Sequence, residues 1–158
     1  MKKKDKESVW DYPRPPRVEA YQGLVEIHHG GQALAKSSSA FRVLETSHPP
    51  VFYIPQADIM MELLHKTKKT SMCEFKGLAV YLDLVTASER IENAAWGYEN
   101  PRTSFEAIKD HLAFYPSKVE ACYVDGEKVQ AQEGDFYGGW ITSNLKGPFK
   151  GGPGTWGW

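Results

Sequence analysis

Short runs of alternating apolar and polar residues recur along the chain, and this pattern predicts a fold built mainly from β-strands. Gly30-Gly31 and Asp125-Gly126 have the residue types of two-residue hairpin turns. Many short strands without alternating helices predict a small bent-sheet or barrel-like domain of the mainly β (α+β) class. The predicted strands cover residues 24–29, 32–36, 41–45, 51–54, 78–86, 90–96, 119–124 and 127–131.

Three stretches depart from the strand pattern. Residues 102–113 carry apolar side chains at helical spacing and precede Pro116, so they are predicted to form the principal helix. A shorter helix is predicted over residues 58–64, with Asp58 as its N-cap. Residues 67–71 are basic and polar, which predicts a loop.

The ends of the chain differ in composition from its middle. Residues 1–17 are charged and then proline-rich, which predicts an irregular N-terminal arm. Residues 18–133 are predicted to form a single β-rich domain. Residues 134–158 are rich in glycine, proline and tryptophan, and we expect this tail to pack on the domain.

Composition narrows the classes of function. The chain has 158 residues and a net charge of −1, so it lacks the overall positive field that recruits nucleic acid. No apolar run approaches the length of a membrane span, and no apolar stretch follows the basic N-terminus as in a secretory signal. We therefore expect a soluble cytoplasmic protein that binds neither nucleic acid nor membrane. Oligomeric state is left open.

An acid and an imidazole lie three residues apart in the segment from Glu45 to Pro50. The two prolines that end this segment, Pro49 and Pro50, stiffen it and hold its side chains in place. A carboxylate beside a histidine can fix its tautomer, so Glu45 and His48 are candidate catalytic residues. The alternative is that His48 hydrogen-bonds the turn and Glu45 is solvated.

The segment from Cys73 to Lys76 is the second candidate site. A nearby ammonium group favours the thiolate form of cysteine, so Cys73 is a candidate nucleophile and Lys76 a candidate ligand-binding residue. The alternative is a small buried hydrophobic side chain, which is the role predicted for Cys122. Tyr53, Trp96 and Tyr98 complete the candidate ligand-binding set, although single aromatic residues are more often ordinary core.

The spacing of histidine and cysteine residues does not favour a metal site. His28 and His29 are adjacent on a predicted strand, so their side chains point to opposite faces. We expect no bound metal and leave the identity of any cofactor open. The glycine-rich stretch around Lys150 lacks the Gly-Lys-Ser/Thr sequence of a phosphate loop.

Seven segments carry residue patterns that are shared with a known protein family: Val43–Pro50, Tyr53–Pro55, Cys73–Gly77, Ala95–Tyr98, Ala113–Pro116, Phe136–Thr142 and Gly147–Gly154. Through these segments the chain resembles the family known as domain of unknown function 427, and the resemblance extends from Trp10 to Trp158. It implies a small, mainly β fold of the bent-sheet type found in zinc-bearing β-tent domains, although the chain lacks their paired CxxC motifs. The family has been labelled nucleotidyltransferase, but the chain lacks a Gly-Ser followed by paired aspartates that would hold magnesium.

The leading hypothesis is a small-molecule site between the two candidate loops and the aromatic residues. Lys76 would bind an anionic group, while Glu45 and His48 would act as a hydrogen-bonding or acid–base pair. The alternative is a non-enzymatic binding or assembly protein whose proline-rich arm and tryptophan-rich tail contact a partner. A third hypothesis, covalent thiol chemistry, requires Cys73 to be exposed near His48.

Overall fold

A computed structural model of the chain describes residues 6–133, 138–152, 154, 155 and 158. Fifteen short strands dominate it, together with five 3₁₀ helices at Val9–Asp11, Gln56–Asp58, Met61–Leu63, Thr103–Ile108 and Pro116–Lys118. The strands are β1 (Glu7–Ser8), β2 (Arg17–Ala20), β3 (Val25–His29), β4 (Gln32–Ser37), β5 (Phe41–Leu44), β6 (Val51–Pro55), β7 (Leu64–Cys73), β8 (Gly77–Val85), β9 (Arg90–Gly97), β10 (His111–Phe114), β11 (Ala121–Val124), β12 (Glu127–Lys128), β13 (Gln130–Ala131), β14 (Trp140–Ile141) and β15 (Leu145–Lys146).

Two antiparallel sheets account for most of these strands. The larger has seven strands in the order β2-β5-β6-β10-β9-β8-β7, and the smaller has four in the order β12-β11-β3-β4. The large sheet is open, with β2 and β7 at its edges, so it does not close into a barrel. Two further pairs are separate from these sheets: β1 with β15 joins the N-terminal and C-terminal parts of the chain, and β13 pairs with β14.

The mainly β prediction is confirmed, and both predicted hairpins are present. Strands β3 and β4 flank Gly30 and Gly31, while β11 and β12 flank Asp125 and Gly126. All four turn residues have positive φ, the conformation that two-residue hairpin turns of this kind require. The strand alternation and turn residues thus determine these local structures.

The predicted principal helix over residues 102–113 is wrong in its second half. Residues Thr103–Ile108 form a 3₁₀ helix, and His111–Phe114 then form strand β10, which pairs with β6 on one side and β9 on the other. A central strand buries both faces of an apolar run, and this tertiary pairing outweighs the helical spacing. Asp110, with a φ of 57°, makes the turn between the two elements.

Two smaller predictions are also corrected. Residues 58–64 do not form one helix, because two separate 3₁₀ turns surround Ile59 and Met60, and the side chain of Asp58 accepts a hydrogen bond from Ser37. Residues 67–71 are not a loop but part of edge strand β7, whose register is irregular between Lys66 and Thr70. Exposed lysines suit an edge strand because they discourage pairing with other chains.

The predicted arm and tail contact each other and the domain. Val9 is fully buried, and the parallel pairing of β1 with β15 joins the two segments. Trp140 is also fully buried; its ring lies 5.0 Å from that of Phe52, and its Nε1 donates to the carbonyl of Phe114. The division into residues 1–17, 18–133 and 134–158 stays a prediction. Residues 1–5, 134–137, 153, 156 and 157 lie outside the described residues.

Alternation along the central strands gives the large sheet two different buried faces. In β6, Phe52 and Ile54 join a core cluster that also contains residues of the smaller sheet, whereas Tyr53 joins a second cluster on the opposite face. The first face therefore packs against the smaller sheet. The second carries tyrosine and tryptophan side chains; its buried members are Val43, Tyr53, Ala79, Tyr81, Trp96, Tyr98, Phe105, Ile108, Ala113 and Tyr115.

No helix in the described part of the chain has the length and apolar character needed to cross a bilayer.

Asp83 anchors an irregular step between β8 and β9 and provides a stability test. Its carboxylate accepts hydrogen bonds from the backbone of Asn93 at 2.8 Å and from Arg90 at 2.9 Å. The Asn93 bond and, less strongly, Arg90 lower the pKa of Asp83 although burial opposes them. We expect Asp83→Asn to lower the free energy of unfolding at pH 7 by about 2 kcal/mol, as measured by urea denaturation.

The same measurement at lower pH tests the role of charge. A lowered folded-state pKa means that the ionised carboxylate stabilises the fold above its unfolded pKa, and that this contribution is lost as the pH falls. The difference in the free energy of unfolding between Asp83→Asn and the unmodified protein should therefore become smaller as the pH is lowered. Asp11→Asn, at an exposed position, is the matched control. Equal effects of the two substitutions would contradict this role.

Candidate functional site

A cavity of about 330 Å³ opens on the tyrosine-bearing face of the large sheet. The two candidate loops, some thirty residues apart in sequence, both reach this cavity. All of the residues proposed from the sequence line it: Glu45, His48, Tyr53, Cys73, Lys76, Trp96 and Tyr98. The structure therefore brings the proposed site residues together, while their roles remain predictions.

Aromatic rings form the buried wall of the cavity. Trp96 lies 4.5 Å from Tyr115 and 6.4 Å from Tyr53, measured between ring centroids, and Tyr53 lies 6.3 Å from Tyr98. Burial raises the pKa of Tyr53, Tyr98 and Tyr115 well above the usual range of tyrosine. These hydroxyl groups are therefore neutral near pH 7 and can offer hydrogen bonds but no negative charge.

Several lining residues were not predicted from the sequence. Tyr81 is one of them, and its hydroxyl shares a 2.8 Å hydrogen bond with Ser71. The position of Tyr81 between Val80 and Leu82 in an otherwise aliphatic strand was a usable signal, because alternate residues of a strand face opposite sides. Gly138 and Lys150 also line the cavity, and no local pattern pointed to them.

Backbone hydrogen bonds hold the His48 loop in place. Ser47 has a φ of 71° and donates its N–H to the carbonyl of Val9 at 2.9 Å, while the N–H of His48 donates to the carbonyl of Glu45 at 3.0 Å. His48 Nδ1 lies 2.8 Å from the carbonyl oxygen of Thr46. Because a carbonyl only accepts, Nδ1 carries the proton and Nε2 is the basic nitrogen of the neutral ring.

Burial sets the protonation state of His48. It lowers the pKa of the imidazole below its usual value, although the charge of Glu45 and the bond to Thr46 act in the opposite direction. The positive charges of Lys150 and Arg14 lower the pKa further. The ring is therefore mainly neutral near pH 7 and can accept a proton. Arg14 also lies 4.0 Å from the carboxylate of Glu45.

The Cys73 loop is the turn between β7 and β8. Lys76 Nζ donates to the sulfur of Cys73 at 3.4 Å and lies 5.8 Å from the centroid of the Phe105 ring. Cys73 is partly exposed, whereas Cys122 is buried in the core, as predicted, and burial raises the pKa of its thiol to about 12. Of the two cysteines, Cys73 is the one that a bound molecule can reach.

Metal-ligating side chains do not cluster in the part of the chain that the structure describes, where no group of three or more such residues is suitably placed for an ion. His28 interacts with Glu26, and His29 Nε2 lies 3.4 Å from Glu89, so the adjacent histidines have different partners. The lining of the cavity can instead supply hydrogen bonds, aromatic surface and two ammonium groups.

The chain matches the sequence profile of a known protein family. The sequence profile described as "Domain of unknown function (DUF427)" matches residues 17–125, more than half of the chain. A comparison with curated proteins gives no match. The matched region includes both candidate loops and the aromatic wall but ends before Gly138 and Lys150.

The electrostatics of the His48 loop can be tested by replacing its neighbouring carboxylate. Glu45→Gln removes the negative charge that raises the pKa of His48, while burial and Lys150 continue to lower it. We therefore expect the titration midpoint of His48 to fall further below about 6.5, as followed by NMR of the ring resonances. Glu62→Gln, at an exposed position outside the cavity, is the control. An unchanged or higher midpoint in Glu45→Gln would contradict the proposed interaction.

Proposed function

The chain belongs to the DUF427 family, and we propose that it binds a small molecule with a planar apolar body and an anionic group. The observation that carries this proposal is the convergence of two polar loops and an aromatic wall on one cavity. A volume of about 330 Å³ lies at the lower end of the range for ligand pockets. The ligand is therefore a compact molecule rather than a polymer segment.

The aromatic wall supports a planar ligand body. The rings of Trp96 and Tyr115 are tilted against each other by 40°, and the buried rings of Tyr53 and Tyr98 continue the wall. Such surfaces stabilise a flat apolar group through stacking and through loss of water-exposed area.

The charged residues at the cavity support an anionic group on the ligand. Lys76 combines a partly buried ammonium group with a contact to Cys73 that fixes its position. An ammonium group in such surroundings binds an anion more strongly than one in open solvent, because water screens the interaction less. Two carboxylates also line the cavity and would repel an anion. Glu74 is exposed, so water screens its charge, and the charge of Glu45 is offset by Arg14 at 4.0 Å.

A catalytic role would use the same residues. Neutral His48, with its basic Nε2, would accept a proton from the bound molecule, and Glu45 would stabilise the resulting imidazolium. Cys73 would act as a nucleophile toward an electrophilic ligand. Both roles depend on prior binding in the cavity, so binding is the function to test first.

The alternative, an assembly protein that uses its arm and tail, has less structural support. The rings of Trp10 and Trp158 pack against each other with centroids 5.3 Å apart, and Trp10 Nε1 donates to the carbonyl of Pro148. Part of the surface of these side chains is therefore in contact with the molecule itself and is not offered to a partner. Trp156 lies outside the described residues.

Saturation-transfer NMR with 2-naphthoate and its uncharged analogue 2-naphthamide tests the proposed binding. We expect the carboxylate to bind more tightly, and Lys76→Met to weaken its affinity about fivefold, which corresponds to about 1 kcal/mol. The affinity for 2-naphthamide should stay within twofold, since it makes no ionic contact. Lys109→Met is the control, because Lys109 is exposed and outside the cavity.

Absence of saturation transfer to both compounds would contradict the proposal as a whole. Equal binding of the acid and the amide, or an unchanged affinity for the acid in Lys76→Met, would contradict the proposed anionic group on the ligand. The proposed binding of a planar apolar body would still stand. Binding of either compound should also shift the indole N–H resonance of Trp96. That resonance is assigned by its absence from the spectrum of Trp96→Phe.

A further inference from the structure

Part of the cavity is built by residues that follow the region matched by the family profile. Gly138 and Lys150 both line it, and both belong to what we call the C-terminal segment, residues 138–152. The profile match ends at residue 125. The matched region alone therefore forms the aromatic wall and both loops but leaves one side of the cavity incomplete.

The C-terminal segment packs closely on the cavity wall. A Cβ atom on Gly138 would lie 2.2 Å from Cη2 of Trp96, so only glycine permits this approach. Gln132, which is buried, joins the two ends of the segment. Its Oε1 accepts from the N–H of Gly139 at 3.1 Å, and its Nε2 donates to the carbonyl of Lys150 at 2.6 Å.

Hydrogen bonds to both the N–H and the carbonyl group of Lys150 hold its backbone in place. Besides the bond from Gln132 to its carbonyl, its N–H donates to the carbonyl of Ser47 at 2.8 Å. Ser47 is the residue before His48, so the segment is tied directly to the His48 loop. This double attachment reduces the conformational freedom that Lys150 would lose on contact with a ligand.

The side chain of Lys150 places a second ammonium group at the cavity. Its Nζ donates to the main-chain oxygen of Trp158 at 3.2 Å, and Arg14 donates to the same oxygen at 3.4 Å. Lys150 lines the cavity, and its positive charge also contributes to the lowered pKa of His48.

Lys76 and Lys150 therefore belong to different segments of the same cavity. A group with one negative charge is satisfied by one ammonium group, whereas a doubly charged group is stabilised by both. We propose that Lys150 is a specificity residue that makes the cavity select ligands with a doubly charged anionic group, such as a phosphate monoester or a dicarboxylate. This inference rests on the proposed binding function and narrows its ligand class.

The test compares a monoanion and a dianion that share one ring system. The dissociation constants of 2-naphthoate and 2-naphthyl phosphate are measured by NMR titration at pH 8, with 2,3-naphthalenedicarboxylate as a second dianion. We expect the intact protein to bind the phosphate about fivefold more tightly than the carboxylate. Lys150→Met should remove this preference, so that the phosphate and the carboxylate bind with similar affinities.

Lys146→Met is the matched control. It removes the same charge from the same segment, but Lys146 is exposed and does not line the cavity, so the preference should persist. The two-dimensional NMR spectrum of each variant verifies that it is folded. Tight binding of the dicarboxylate as well as the phosphate identifies charge as the selected property, and binding of the phosphate alone identifies the phosphate group.

The outcomes separate this inference from the one on which it rests. If the intact protein binds none of the three compounds, the proposed function fails. If it binds 2-naphthoate but shows no preference for either dianion, or if Lys150→Met retains the preference, the role of Lys150 fails and the binding site stands.

Discussion

The seven-stranded sheet buries side chains on both of its faces, but only one face packs against the second sheet. Aliphatic and phenylalanine side chains such as Ile54, Leu84 and Phe114 occupy the face between the sheets. The opposite face carries hydroxyl-bearing rings, Tyr53 and Tyr81 among them. Burial of phenol groups is favourable when each finds a hydrogen-bonding partner, and Tyr81 finds one in Ser71 of strand β7. The cavity exists because this second face is covered by loops and the C-terminal segment rather than by a regular sheet.

The stiffness of the covering segments gives the cavity a defined shape. Ser47 is held at a positive φ by the carbonyl of Val9 on one side and by the N–H of Lys150 on the other. The N-terminal arm, the His48 loop and the C-terminal segment thus meet at one residue. A strained conformation persists only where the surrounding structure determines it, and such positions often border functional sites. The side chains of the loop are positioned before any ligand arrives, which reduces the entropic cost of binding.

Sequence patterns were sufficient for features that depend on local structure. The hairpin at Asp125-Gly126 follows from turn chemistry, and the rigid loop around His48 follows from its prolines. The second half of the predicted helix was wrong because the pairing of Leu112 and Phe114 with distant strands overrides their local spacing. Lys150 was not recognised as a cavity residue because only contacts with Ser47 and Gln132, distant in sequence, place it there. Local patterns therefore predict elements and candidate residues, whereas the composition of a site depends on long-range packing.

A crystal structure of the protein soaked with 2-naphthoate tests the central claim most directly, because that claim is about where a ligand lies. The account predicts electron density for the ring system against Trp96 and Tyr115, with the carboxylate oriented toward Lys76. Density for the compound only at other surfaces, or a cavity filled by the protein's own side chains, would contradict it.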